Sequence, residues 1–122
     1  MQDKIIINDY IENDPLSEEN LDKTLNYLHE FRLLLPNKSI WIYSGYTWNQ
    51  VMNPVVTGDF NPKRDEIIQK RKDIISQCDV MVDGRYIDSQ RNPLKKWAGS
   101  DNQNVINVCQ SLQQNKLILW CD

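Results

Sequence analysis

Four short stretches of this 122-residue chain carry residue types able to hold a ligand. Asp14 lies in IENDPL (11–16), directly after an isoleucine-rich run, where α/β proteins usually bind ligands. Ser44-Gly45-Tyr46 and Asp83-Gly84-Arg85 each end an apolar run, and GSDNQ (99–103) supplies Ser100 and Asn102. The chemistry on offer is binding rather than acid–base or nucleophilic work. His29, the one histidine, falls within a helical pattern away from these stretches, so no Ser/His/Asp or Cys/His grouping arises. Each stretch also has a plain structural reading. Asp-Gly is a common turn pair, Gly45 suits a turn, and Ser100 with Gln103 has the form of a capping box. Cys78, Cys109 and Cys121 are widely spaced, which points to free thiols rather than a tetrahedral zinc site.

These residues must be positioned by regular elements. Residues 4–8 form a strand-like run, and residues 40–43 and 80–82 two more. Ser17 is placed to cap a helix with Glu18 and Glu19 in its first turn. Leu21, Leu25, Leu28, Phe31 and Leu35 then recur at helical spacing until Pro36-Asn37. Asn61-Pro62 opens a second helix, with Ile67, Ile68, Ile74 and Ile75 toward the core. The box at Ser100 opens a third helix carrying Val105, Ile106, Cys109 and Leu112, and residues 116–120 read as a last strand. Alternation of this kind predicts one α/β domain over residues 1–122, a parallel sheet of about four strands with helical crossovers. Loops after parallel strands emerge on one side of the sheet. All four glycines fall in those loops, as do Asp14, Asp83, Arg85 and Trp97. Trp41 and Trp120 read as core, Trp48 and Trp97 as exposed or ligand-facing.

The net charge of −3 and pI near 5.1 argue against nucleic acid and anionic membrane surfaces as partners. Arg91, Lys95, Lys96 and Lys70-Arg71-Lys72 are interleaved with acids and read as solvated surface. No run approaches the roughly 20 apolar residues of a membrane span, and MQDKIIINDY lacks the parts of a signal peptide. A cytoplasmic location is expected.

IWIYSGYTW (40–48), CDVMVDGRYI (78–87) and WAGSDNQNVINVCQSL (97–112) resemble successive motifs of the anaerobic ribonucleotide reductase activating proteins, which are radical S-adenosylmethionine (SAM) enzymes. The likeness runs from about residue 4 to the C-terminus and covers the latter part of that family's domain. It implies a truncated radical-SAM partial barrel. It also implies a cofactor pocket. Asp14-Pro15 aligns with a G-G-[DE]-P segment that meets SAM, and Asp83 and Arg85 with an acidic and a basic residue at the cofactor's ribose or carboxylate. Together with Ser44, Gly45, Ser100 and Asn102, these are the candidate cofactor-binding residues.

The chain departs from the family pattern in three places. No CxxxCxxC loop is present, so no iron–sulfur cluster and no radical chemistry are expected of this chain. Glu12 and Asn13 replace two glycines, which is expected to forfeit a positive φ there. Ala98 and Asn104 replace cations. The resulting expectation is a diverged, cluster-less, non-catalytic relative that keeps a SAM or adenine-nucleotide pocket. Two alternatives stay open: a protein-binding decoy or inhibitor, of phage or mobile-element origin, that engages the reductase or another partner, and a fragment of a full activase. A bare sheet edge calls for cover, and a homodimer is the expected remedy.

Overall fold

A computed structural model describes residues 4–121. Strands β1 (Lys4–Ile6), β2 (Ser39–Ser44), β3 (Val80–Asp83) and β4 (Asn104–Asn107) form one sheet in the order β1-β2-β3-β4. β1, β2 and β3 run parallel, with Ile5 beside Ile40 and Ile42 beside Met81. β4 is antiparallel to β3 and pairs Asp83 with Asn104. The sheet is therefore mostly parallel, within the expected α/β class. Helices are α1 (Leu21–Leu34), α2 (Trp48–Met52), α3 (Pro62–Ser76) and α4 (Val108–Gln114).

Successive strand residues face opposite sides of a sheet, and that alternation divides the core in two. Ile5, Ile40, Ile42, Met81 and Ile106 pack with Leu21 and Leu28 of α1, Val51 of α2, and Ile74 and Ile75 of α3. The opposite face presents Trp41, Val80 and Val82. Among the described residues no helix packs on it. Trp97 and Trp120, from irregular segments, stand edge-on to Trp41 at centroid distances of 5.2 and 5.8 Å, a favoured aromatic geometry. Trp97 thus packs, partly buried, against this second core, and it adopts φ 72 there while its carbonyl accepts from the Tyr43 hydroxyl.

Several local expectations give way. No helix starts at Ser100. Residues 104–107 extend as β4, whose Val105 and Ile106 face opposite sides of the sheet, and α4 starts at Val108 with Asn107 Oδ1 accepting from Gln110 N. A single Val-Ile pair fits a helix face and a strand equally well, and pairing with β3 decides between them. Residues 116–120 make only an isolated bridge, Leu119 against Ile106, flanked by Asn107 N to Ile118 O and Trp120 N to Val105 O. Ser17 does not cap α1: its hydroxyl donates to Asp14 O, and a 3-10 turn (Glu18–Asn20) precedes the helix. By contrast α3 starts as expected, with Pro62 at its first position and Asn61 Oδ1 accepting from Arg64 N. Helix α2 was not expected, although Thr47-x-x-Gln50 is a complete capping box. It buries Trp48, which is therefore not exposed as expected. No helix among the described residues is long and apolar enough to cross a membrane.

Candidate functional site

The C-terminal ends of β1, β2 and β3 and the start of the reversed β4 meet at one edge of the sheet. There the loops bound a cleft of about 630 Å³, lined by Asp14, Gly45, Tyr46, Gln50, Arg85 and Asn102 among others. A shallower recess of about 330 Å³ shares Asp14, Gly45 and Arg85 and adds Ser44. Both volumes suit a small molecule. A separate cavity of about 350 Å³, beside Lys72 and Lys116, is lined by Trp48 but by none of the candidate cofactor-binding residues.

Asp14 joins the first loop to the end of β2. Its Oδ1 accepts from Leu16 N (2.9 Å) and Ser44 Oγ (2.9 Å), and its Oδ2 accepts from Gly45 N (2.8 Å). The turn before it contains Asn13 at φ 65. Loss of glycine therefore does not forfeit a positive φ in this loop, because asparagine is among the residues that tolerate the left-handed region. The buried Thr24 hydroxyl holds Pro15 O at 3.0 Å, and Asn20 Nδ2 holds Glu12 O and Asp14 O.

Asp83 is only 3% exposed and does not line the cleft. Its Oδ2 accepts from Trp48 N at 2.7 Å and its Oδ1 from Asn104 N at 3.0 Å. Gly84 then turns the chain at φ 86, and its N–H donates to Tyr46 O. GSDNQ braces this turn from below. Asn102 Nδ2 donates to Arg85 O (2.7 Å) and Gln103 Nε2 to Gly84 O (3.0 Å), while Gln103 Oε1 accepts from Gly99 N and Ser100 N. Ser100 is buried, its hydroxyl donating to Asn102 Oδ1 and accepting from Ile87 N. Lys95 Nζ donates to the carbonyls of Asp101 and Gln103.

The fold thus brings Asp14, Ser44, Gly45, Arg85 and Asn102 to the cleft and recess, and sets Asp83 and Ser100 behind them as internal supports. No hydrogen bond or ion pair holds the Arg85 guanidinium among the described residues, so its donors are open to a ligand. Tyr46, whose hydroxyl accepts from Arg71 at 3.0 Å, and Gln50 are wall residues outside the candidate cofactor-binding set. The Thr47–Gln50 capping box was the available signal for Gln50.

The three cysteines are far from such an arrangement. Cys78 is buried where α3 leads into β3, and Cys109 and Cys121 are exposed. Among the described residues no group of three His, Cys, Asp or Glu side chains could share a metal ion. Burial pushes the Cys78 thiol well above its ordinary range. Asp79 adds to the shift and Arg32 opposes it. Above about pH 9 the unfolded chain ionises this thiol while the native chain keeps it protonated, so its contribution to stability falls as pH rises. Native protein at pH 8 is expected to lose two thiols to Ellman's reagent and the third only on unfolding. Rapid loss of all three would contradict the burial of Cys78.

In comparisons with known proteins, residues 12–106 match the family described as "4Fe-4S single cluster domain". Curated relatives are named anaerobic ribonucleoside-triphosphate reductase-activating protein. That of Haemophilus influenzae is 29% identical over 92 residues, which is 75% of this chain and 49% of the relative. That of Escherichia coli is 28% identical with the same coverage. The Enterobacteria phage T4 protein is 28% identical over 93 residues, covering 75% of this chain and 47% of its own. The chain spans about half the length of the curated relatives it matches. No solved structure matches it significantly.

Proposed function

Since the chain belongs to the 4Fe-4S single cluster domain family, we propose that it is a diverged relative of the reductase activators whose cleft takes SAM or another adenine nucleotide and which performs no radical chemistry by itself. The observation that carries this reading is Arg85. Arg85, its guanidinium uncommitted, lines a cleft of about 630 Å³ whose other walls combine polar side chains and two glycines with the apolar surface of Tyr46 and Ile87. A planar guanidinium recognises a carboxylate or phosphate through two parallel hydrogen bonds, and SAM carries such a carboxylate beside its adenosine. Asp83 spends both oxygens on backbone amides, so in this reading ribose hydroxyls fall to the wall residues Ser17, Thr47 and Gln50.

The residues described do not fit the cluster that gives the family its name. A [4Fe–4S] cluster needs closely grouped thiolates, whereas one thiol here is buried and held protonated and the other two lie on separate surface segments. The activity of the longer relatives is accordingly not carried over, and only the ligand pocket is proposed.

Calorimetric titration of the purified chain with SAM tests the reading. Saturable binding is expected, weaker by about tenfold or more in Arg85→Ala, as for loss of a charged hydrogen-bonding group. A flat titration of the unmodified protein would sink the proposal.

A further inference from the structure

Gly45 follows β2 directly, and its backbone lies outside the left-handed region that demands glycine. Space, rather than conformation, accounts for the residue. A Cβ at this position would stand 3.2 Å from Arg85 Cγ, 3.5 Å from Asp14 Oδ2 and 3.8 Å from Arg85 Nε. The first of these is closer than a comfortable carbon–carbon contact.

We propose that Gly45 is a positioning residue: its bare Cα is the seat of the Arg85 stem, and the size of residue 45 sets where the guanidinium reaches into the cleft. This rests on the reading of the cleft as a ligand site with Arg85 as its cation. The turn bearing Arg85 cannot retreat to make room. Asn102 holds the Arg85 carbonyl, Gln103 holds the Gly84 carbonyl, and the Gly84 amide is tied to Tyr46 O. On the other side Asp14 is tied to Gly45's own amide. A side chain at residue 45 therefore displaces the one mobile part of the set, the Arg85 side chain, toward solvent.

The consequence separates from folding. With φ outside the left-handed region the backbone at residue 45 does not itself require glycine, and replacing glycine removes freedom from the unfolded chain. SAM titrations of Gly45→Ala and Gly45→Val, each with Arg85 intact and with Arg85→Ala, test the proposal together with a crystal structure of Gly45→Val. Melting temperatures should hold or rise for the alanine variant. Affinity should fall a few-fold for alanine and by about tenfold for valine, the size expected when a charged hydrogen-bonding group is misplaced. Neither substitution should weaken binding further once Arg85 is alanine, and the crystal structure should show the Arg85 stem moved off residue 45.

An Arg85 side chain unmoved in Gly45→Val would overturn the proposal. So would equal losses in both backgrounds, which would mean that the new side chain simply blocks the ligand. If the unmodified protein binds no SAM, the functional reading fails, and the position of Arg85 in the Gly45→Val structure still decides the role of Gly45.

Discussion

Asp83→Ala is expected to destabilise the protein by about 3 kcal/mol or more and to lower its melting temperature by about 10 °C. The carboxylate ends β3, is almost wholly buried, and accepts one backbone amide from the first residue of α2 and one from the first residue of β4. Hydrogen bonds to a charged group each contribute about 1.5–3 kcal/mol. Truncation removes both and leaves one buried and one partly buried donor without acceptors, which adds their desolvation cost. Asp83→Asn keeps the shape but turns an NH₂ group toward one of the two N–H donors, so it should recover only part of the loss. Thermal and urea melts of the three proteins measure this. A melting temperature for Asp83→Ala within a degree or two of the unmodified protein would show that the two amides find other acceptors.

Asp14→Ala should cost about 2–3 kcal/mol, since three donors lose a charged acceptor in a partly exposed setting. Here the expected result is regional as well as global. Leu16 N, Gly45 N and the Ser44 hydroxyl all depend on this carboxylate, so the loop that carries Asn13 at φ 65 loses its tie to β2. Amide hydrogen exchange at Leu16 and Gly45 should accelerate well beyond the change seen in α3, which reaches this loop only through Arg71 on the Leu16 carbonyl. Protection at those two amides equal to that of the unmodified protein would remove the tethering role. Asp14 and Asp83 grip opposite ends of the same segment, residues 44–48, so the double variant should depart from additivity.

The two carboxylates also show how ligand chemistry and internal chemistry compete for one residue type. Aspartate at the end of a strand is a good ribose partner, and Asp83 was a candidate cofactor residue on that ground. The same carboxylate is an equally good acceptor for backbone amides that start a new element. Here both Asp83 oxygens are taken by backbone amides, and Arg85 lines the open cleft. Ser100 met the same fate: its hydroxyl supports Asn102 and the Ile87 amide rather than an anion.

Much was legible from the residues alone. Three short apolar runs became β1 to β3, because a continuous run of this kind, bounded by turn residues, suits a parallel strand buried on both faces. Asn61-Pro62 opened α3, because a capping side chain and a preset φ act within one turn. The loops gathered Asp14, Gly45, Arg85 and Asn102 at one edge, because parallel strands send their exits the same way.

Tertiary structure alone decided the rest. Val105-Ile106 became a strand because β3 offered a free edge, and its reversed direction is what places GSDNQ beneath Arg85. Trp97 and Trp120, with no helix available for that face, closed the sheet over Trp41. Asp83 turned inward because its acceptors met the amides of Trp48 and Asn104, residues 35 and 21 positions away. Local patterns encode which conformation a segment prefers; which donors reach a buried carboxylate depends on segments distant in sequence, and only the folded chain brings them within hydrogen-bonding distance.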